Sequence, residues 1–97
     1  ASSRKARRDK AARRTQIQPL RRELQRLERA IDTLQVQKST LEAELSAPAL
    51  YAGSEKARLK TLLLEQTLIG RRLDEAEEAW LSACESYEQA MARREEV

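Results

Sequence analysis

The stretch 17–45, IQPLRRELQRLERAIDTLQVQKSTLEAEL, decides the fold because its apolar residues recur in alternating steps of three and four. This spacing is the a/d seam of a coiled coil, a stripe that is too narrow for one helix to bury by itself. The pattern therefore predicts a helix over residues 19–46 that needs a second helix as its partner. Its seam residues are Ile17, Leu20, Leu24, Leu27, Ile31, Leu34, Leu41 and Leu45, and Lys38 replaces one apolar position.

The second half of the chain supplies that partner helix. Pro48 and Gly53 predict a turn over residues 47–54, with Ser54 as the N-cap of a helix over residues 55–95. Two seams joined by a short turn predict an all-α, antiparallel two-helix coiled-coil hairpin over residues 17–97. The second seam consists of Leu59, Leu62, Gln66, Ile69, Leu73, Ala76, Trp80, Ala83, Tyr87 and Ala90.

The register of the hairpin stays open by one heptad at this stage. One register pairs Leu20 with Trp80 and centres the turn on residue 50, which the symmetry of the turn favours. The other register pairs Leu27 with Trp80. In both registers Lys38 and Gln66 bring polar groups into the seam, where such residues typically specify register at a cost in stability.

Residues 1–16 are predicted to be a basic linker or arm, because they carry seven Lys/Arg and nothing apolar larger than alanine. Such a segment has no side that would face a core, so we expect it to be partly disordered. The alternative is a solvated helical extension of the first long helix. Ordered helix is expected from about Pro19, with partial helix before it. Pro19 either lies in the first turn, where its missing N–H is harmless, or kinks a helix that has already begun.

The composition excludes several classes of function. Ala, Glu, Lys, Leu and Arg supply 61 of the 97 residues, above the half that is typical of long helices and coiled coils. With no histidine, one cysteine and two isolated glycines, the sequence contains no His-based catalytic site, no CxxC metal site and no phosphate-binding loop. We therefore expect no catalysis, no metal and no cofactor in this chain. No apolar run is long enough to span a membrane, and we expect a cytoplasmic protein.

Charge is distributed very unevenly along the chain. Residues 1–29 carry eleven basic against three acidic residues, whereas residues 74–97 carry two against eight. The basic residues of 1–29 have two possible roles. They contact the phosphates of a nucleic acid, or the acidic residues of 74–97 neutralise them within the hairpin. Arg22, Arg26 and Arg29 favour the first, because their heptad positions point away from the partner helix. Arg21, which flanks the seam, is expected to pair with Glu77.

The aromatic residues and the cysteine favour structural roles. Trp80 and Tyr87 lie on the seam, where packing is a simpler explanation than stacking on a base. Cys84 lies beside the seam and is predicted to be a small buried residue with no redox role.

The order of features resembles the C-terminal coiled-coil domain of the ABC-F ATPases, which are soluble, bacterial, tandem-cassette relatives of ABC transporters. The resemblance spans residues 4–92 and is carried by a basic linker before Pro19-Leu20, the turn Leu45-Ser46-Ala47-Pro48-Ala49-Leu50-Tyr51, and Glu77-Glu78-Ala79-Trp80. Many relatives have Asp at the position of Ala47. The resemblance implies two upstream cassettes that bind ATP and Mg²⁺, and a nucleic-acid-binding appendage that contacts DNA or ribosomal RNA.

The function expected from the charge pattern and the resemblance together is contact with the phosphate backbone of DNA or ribosomal RNA by a monomeric hairpin. Two alternatives stay open: a structural spacer or protein–protein arm, and a coiled coil whose helices pair between chains. The expected contact residues are Arg4, Lys5, Arg7, Arg8, Lys10, Arg13, Arg14, Arg22, Arg26 and Arg29.

Overall fold

The computed structural model describes residues 2–95, with side chains from Ser3 to Arg93. Over these residues the chain forms helix α1, Ser2–Leu45, a short 3₁₀ helix, Pro48–Tyr51, and helix α2, Lys56–Glu95, with no strand. The predicted all-α two-helix hairpin is confirmed. The outermost positions of the predicted ranges, residues 1, 96 and 97, lie outside the described residues.

Helix α1 begins at Ser2, so the predicted start near residue 19 is wrong and residues 2–16 belong to the same helix. Pro19 lies inside this helix and does not end it. The segment before Pro19 is rich in Ala, Arg and Lys, which have high helix propensity. Its lack of an apolar face therefore did not prevent helix formation, and the alternative of a solvated helical extension is the one that the structure supports.

The chain divides into two compact units. The turn unit comprises Arg29–Glu77, and the terminal unit comprises the part of α1 up to Glu28 with the part of α2 from Glu78. Each unit thus contains a segment of both helices, which pack against one another through the predicted seam.

The core of the turn unit is a cluster of three buried leucines, Leu41, Leu50 and Leu62. Leu45, Leu59 and Ile69 pack against this cluster. Leu50 comes from the 3₁₀ helix and is only 6% exposed, so the turn folds back onto the end of the seam. Burying a leucine in this way contributes roughly 1.5–3 kcal/mol.

Polar and small residues complete the turn. The Tyr51 hydroxyl donates to the Leu45 carbonyl at 2.7 Å, which fixes the 3₁₀ helix against the end of α1. The chain then bends at Gly53, whose φ of 87° is a left-handed conformation that favours glycine. The N-cap of α2 is Glu55 and not Ser54, because the Glu55 carbonyl accepts the first helical bond, from Leu59 N–H at 2.9 Å.

The polar seam residues Lys38 and Gln66 are exposed, so the structure does not bury them as the seam pattern suggested. Lys38 Nζ lies 4.0 Å from Glu42 Oε1 on its own helix. Gly70 has no neighbour within 4 Å of the position that a Cβ would occupy, so no close contact between the helices requires glycine there.

The terminal unit has a thinner core than the turn unit. Ile17, Leu27 and Ala90 are buried there, whereas Trp80 and Tyr87 are half-buried. The Trp80 indole N–H donates to Glu28 Oε1 at 3.4 Å, and Arg21 Nη2 donates to the Tyr87 hydroxyl at 3.3 Å.

These two contacts agree with the register that pairs Leu27 with Trp80, since Glu28 adjoins Leu27 along α1. The favoured register, with Leu20 facing Trp80, is therefore wrong, and so is the expected pairing of Arg21 with Glu77. The physical reason is the turn: Pro48–Tyr51 forms one more helical turn, and the chain reverses around Gly53 instead of at residue 50.

Candidate nucleic-acid interface

Continuous helix through residues 2–16 gives each predicted contact residue a defined position on α1. Extending the heptad pattern back from Ile17 assigns Arg7 and Arg14 to e positions and Arg8 and Arg22 to f positions. All four side chains are exposed. The e and f positions lie beside or opposite the seam, so these cations form one strip along the outer side of the helix.

The predicted contact residues of the terminal unit are mostly free of internal partners. Among the side chains that the structure describes, Arg26 is the only one of the ten in an ion pair, and Arg13 donates one hydrogen bond. Arg29 belongs to the turn unit and is exposed there. We define the basic surface as the predicted contact residues of the terminal unit that are exposed and take part in none of the described ion pairs: Arg4, Lys5, Arg7, Arg8, Lys10, Arg14 and Arg22.

Arg26 is held by Glu23 on the same face of α1. Its Nε donates to Glu23 Oε2 at 2.9 Å, and Nη2 makes a second bond to the other carboxylate oxygen. The hydrogen bonds from Arg26 lower the pKa of Glu23 and, reciprocally, raise the pKa of the Arg26 guanidinium. A phosphate at Arg26 would have to compete with this carboxylate, so Arg26 is a weaker candidate than the sequence suggested.

Arg13 differs from its neighbours because it occupies a d position of the extended seam. Its side chain is half-buried, and Nη1 donates to the carbonyl of Arg93 on α2 at 3.4 Å. Arg13 therefore contributes to the packing of the two helices, and its cation is less available than those at e and f positions.

The acidic half of α2 does not neutralise the basic surface among the described side chains. The ion pairs among the described side chains are Glu23–Arg26, Lys38–Glu42 and Glu44–Arg58. None of them involves a carboxylate between Asp74 and Arg93. The contacts between the helices of the terminal unit use a tyrosine hydroxyl, a backbone carbonyl and Glu28 of α1 instead. The second interpretation of the charge asymmetry therefore has no support in these contacts.

A shallow groove at the start of α1 collects four polar side chains. It is lined by Ser3, Arg4, Arg7 and Arg8, which follow one another at spacings of one turn or one residue. Three guanidinium groups on one turn of helix match the planar, multiple-donor recognition that phosphate oxygens favour.

The aromatic residues do not extend this surface. Trp80 and Tyr87 are half-buried, and their polar atoms bond to Glu28 and Arg21 respectively. Neither ring presents the exposed face that a stacked base needs. Cys84 is half-buried, and its burial, together with Glu88 and Glu28, raises the pKa of the thiol. A raised pKa leaves little thiolate at neutral pH, which argues against a reactive cysteine.

Sequence reasoning missed a set of leucines that lie outside the seam. Leu64, Leu68 and Leu81 are 64%, 46% and 57% exposed, and Leu63 is 46% exposed. Their heptad positions could have identified them from the sequence: Leu81 is at b, Leu68 at c, Leu63 at e and Leu64 at f. Leucine outside the a and d positions is not explained by the packing of the hairpin.

Two classes of site are absent from the part of the chain that the structure describes. No three His, Cys, Asp or Glu side chains between Ser3 and Arg93 are arranged to hold a metal ion. Over residues 2–95, neither helix has a stretch apolar enough to cross a bilayer.

Comparison with known protein families decides the assignment. The family model described as "ABC transporter C-terminal domain" matches residues 19–85, which is more than half of the chain. The chain belongs to this family. The match confirms the ABC-family resemblance, although it begins at Pro19 and therefore includes only Arg22 of the seven residues of the basic surface. Comparisons with curated proteins and with solved structures gave no match.

Proposed function

We propose that this ABC transporter C-terminal domain binds the phosphate backbone of nucleic acid through the basic surface of α1. The observation that carries the proposal is the set of exposed cations on one continuous helix that no described carboxylate pairs with. Lys and Arg side chains in this state release condensed counterions when they meet phosphates, and this release drives binding without regard to sequence.

The proposed binding reads shape and charge, not bases. The described residues of the terminal unit, which carries the basic surface, include no exposed aromatic ring on which a base could stack. Phosphate contacts position a protein on a nucleic acid but carry no base sequence directly. Selectivity between DNA and ribosomal RNA would then come from the geometry of the backbone.

The wider context of the proposal follows from the family resemblance. The domain would act as the appendage of a bacterial, cytoplasmic ABC-F ATPase and help it engage the ribosome or DNA. ATP and Mg²⁺ would be bound by the cassettes of that protein, and this domain would contribute no catalytic residue.

A salt titration tests the proposal. If about six phosphates are neutralised, the logarithm of the affinity should fall against the logarithm of salt concentration with a slope near −5. Replacing Arg4, Arg7 and Arg8 together by Gln removes three contacts, so the slope should fall in magnitude by about 2.7. The measurement is fluorescence anisotropy with duplex DNA and with ribosomal RNA, starting at about 50 mM salt.

The matched control removes three exposed cations of the turn unit, Lys38, Arg58 and Arg72, each replaced by Gln. The net charge changes equally in both triple variants, so a loss confined to the variant of Arg4, Arg7 and Arg8 identifies a local contact surface. Glu23→Gln should act in the opposite direction, because it frees Arg26 and adds up to about 0.9 to the slope. No binding at about 50 mM salt, or equal losses in both triple variants, would favour a structural spacer instead.

A further inference from the structure

The exposed leucines on α2 lie among charges of one sign. In the turn unit, the outward side of α2 carries Leu63, Leu64 and Leu68, and Lys56, Lys60, Leu64 and Leu63 line one shallow groove. The only acidic residue between Lys56 and Arg71 is Glu65. We call this surface the cationic leucine face and define it by Lys56, Lys60, Leu63, Leu64, Leu68 and Arg71.

The terminal unit carries a surface of opposite charge on the same helix. Glu78, Glu85 and Glu88 are exposed there around Leu81, which is itself 57% exposed. No Lys or Arg occurs between Asp74 and Glu88. We call this surface the acidic face and define it by Glu78, Leu81, Glu85 and Glu88.

The spacing of these residues makes the two faces complementary. The positions 60, 64, 67, 71, 74, 78, 81 and 85 follow steps of four and three, so they occupy one b/f stripe. When this stripe is set antiparallel against a copy of itself, Lys60 meets Glu85 and Leu64 meets Leu81. Arg71 meets Asp74 at the centre, and no two like charges meet.

We propose that a second copy of this chain docks on the cationic leucine face through its acidic face. Because the pairing reads the same from either chain, two copies exchange identical contacts, which is the condition for a closed two-fold dimer. Among the described side chains, Lys60, Arg71, Asp74 and Glu85 take part in no ion pair within the chain, so their charges are available to a partner.

A second copy fits these faces better than nucleic acid does. Burial of Leu64 against Leu81 removes apolar surface from water on both partners, whereas a phosphate backbone covers leucine without that gain. The contact is small, with a few leucines and ion pairs, and therefore belongs to the weak and salt-sensitive class of interfaces. The proposal is independent of the nucleic-acid surface, which lies on α1.

The experiment is sedimentation equilibrium of the 97-residue chain from about 20 µM to about 1 mM, the range in which a weak interface associates. The wild-type chain should approach the dimer mass at the upper end. K60E and E85K should each weaken the dimer at least about tenfold, since each places like charges opposite one another. An equimolar mixture of the two variants should recover the dimer mass, because both contacts then join opposite charges again.

The leucine contribution has its own matched pair. Leu64→Ser should weaken the dimer, whereas Val36→Ser, which removes a 66% exposed apolar side chain from α1, should not. Circular dichroism checks that all variants keep their helix content.

Three results would overturn the proposal. The first is a monomer mass at every concentration. The second is a dimer that K60E and E85K leave unchanged, because the interface then lies elsewhere. The third is a monomer whose cationic leucine face binds an added acidic amphipathic peptide, since the occupant is then another protein.

Discussion

The two compact units share one seam pattern but differ in what fills it. The turn unit closes around Leu41, Leu50 and Leu62, with further aliphatic side chains packed against them. In the terminal unit the buried aliphatic residues Ile17, Leu27 and Ala90 share the seam with two half-buried aromatics, whose polar atoms bond to side chains of the other helix. The two units therefore differ in role: aliphatic packing stabilises the turn unit, and the terminal unit keeps its cations accessible.

The N-terminal end of α1 extends this contrast. Continuing the heptad pattern back from Ile17 places Ser3, Ala6, Lys10 and Arg13 at seam positions, none of which is a large apolar residue. A seam of this kind gains little from burial, so the helix there depends on intrinsic propensity and on contacts such as that of Arg13 with the Arg93 carbonyl.

The largest expected effect compares two leucines that are equally buried, each 4% exposed. Leu62→Ala in the turn unit and Leu27→Ala in the terminal unit should each reduce the free energy of unfolding by about 2–5 kcal/mol. The loss should be larger at Leu62, because a close-packed aliphatic cluster collapses into a cavity less readily than half-buried aromatics do. Urea denaturation followed by circular dichroism measures both.

An equal or larger loss at Leu27 would contradict the contrast between the units, because it would show the terminal seam to be packed as tightly. A loss below about 0.5 kcal/mol at either leucine would contradict the assignment of that residue to a buried seam.

A smaller effect should separate the two tyrosines. Tyr51→Phe removes the 2.7 Å hydrogen bond to the Leu45 carbonyl and should cost about 0.5–1 kcal/mol. Tyr87→Phe removes only an acceptor at 3.3 Å from Arg21 and should cost less than Tyr51→Phe. Thermal unfolding of the two variants and the wild-type chain gives the comparison. The reverse order would mean that polar contacts, and not aliphatic packing alone, stabilise the terminal unit.

The smallest effect concerns the pH dependence of stability in the terminal unit. The hydrogen bonds from Arg26 lower the pKa of Glu23 below its usual 4.5, so the folded state binds this proton less readily than the unfolded state does. The resulting stabilisation is present above the unfolded pKa and is lost as the pH falls through the folded pKa. Glu23→Gln should remove this part of the acid dependence while leaving stability at neutral pH nearly unchanged, because the pair is exposed.

Denaturation midpoints measured from neutral pH to below 4.5 test this expectation, with Glu42→Gln as the comparison, since its partner Lys38 lies 4.0 Å away. An acid dependence that Glu23→Gln leaves intact would show that other carboxylates account for it.

Much of the architecture could be predicted from the order of residues. Alternating steps of three and four identify both seams, and Leu27, Leu41, Leu62 and Leu73 are buried as that pattern requires. The 3,4 spacing suffices because a narrow apolar stripe leaves the helix no other way to exclude water. The family assignment also followed from local sequence, and the match to the ABC transporter C-terminal domain confirmed it.

The register, the true start of α1 and the availability of each cation depended on tertiary structure. A heptad pattern repeats every seven residues, so it could not distinguish Leu20 from Leu27 as the neighbour of Trp80; the 3₁₀ helix Pro48–Tyr51 shifted the reversal and decided between them. Nor could charge counts show that Glu23 forms an ion pair with Arg26, whereas no carboxylate of the acidic face forms an ion pair with the basic surface among the described side chains. Pairing depends on distances of a few ångströms between side chains, and only the folded chain defines those distances.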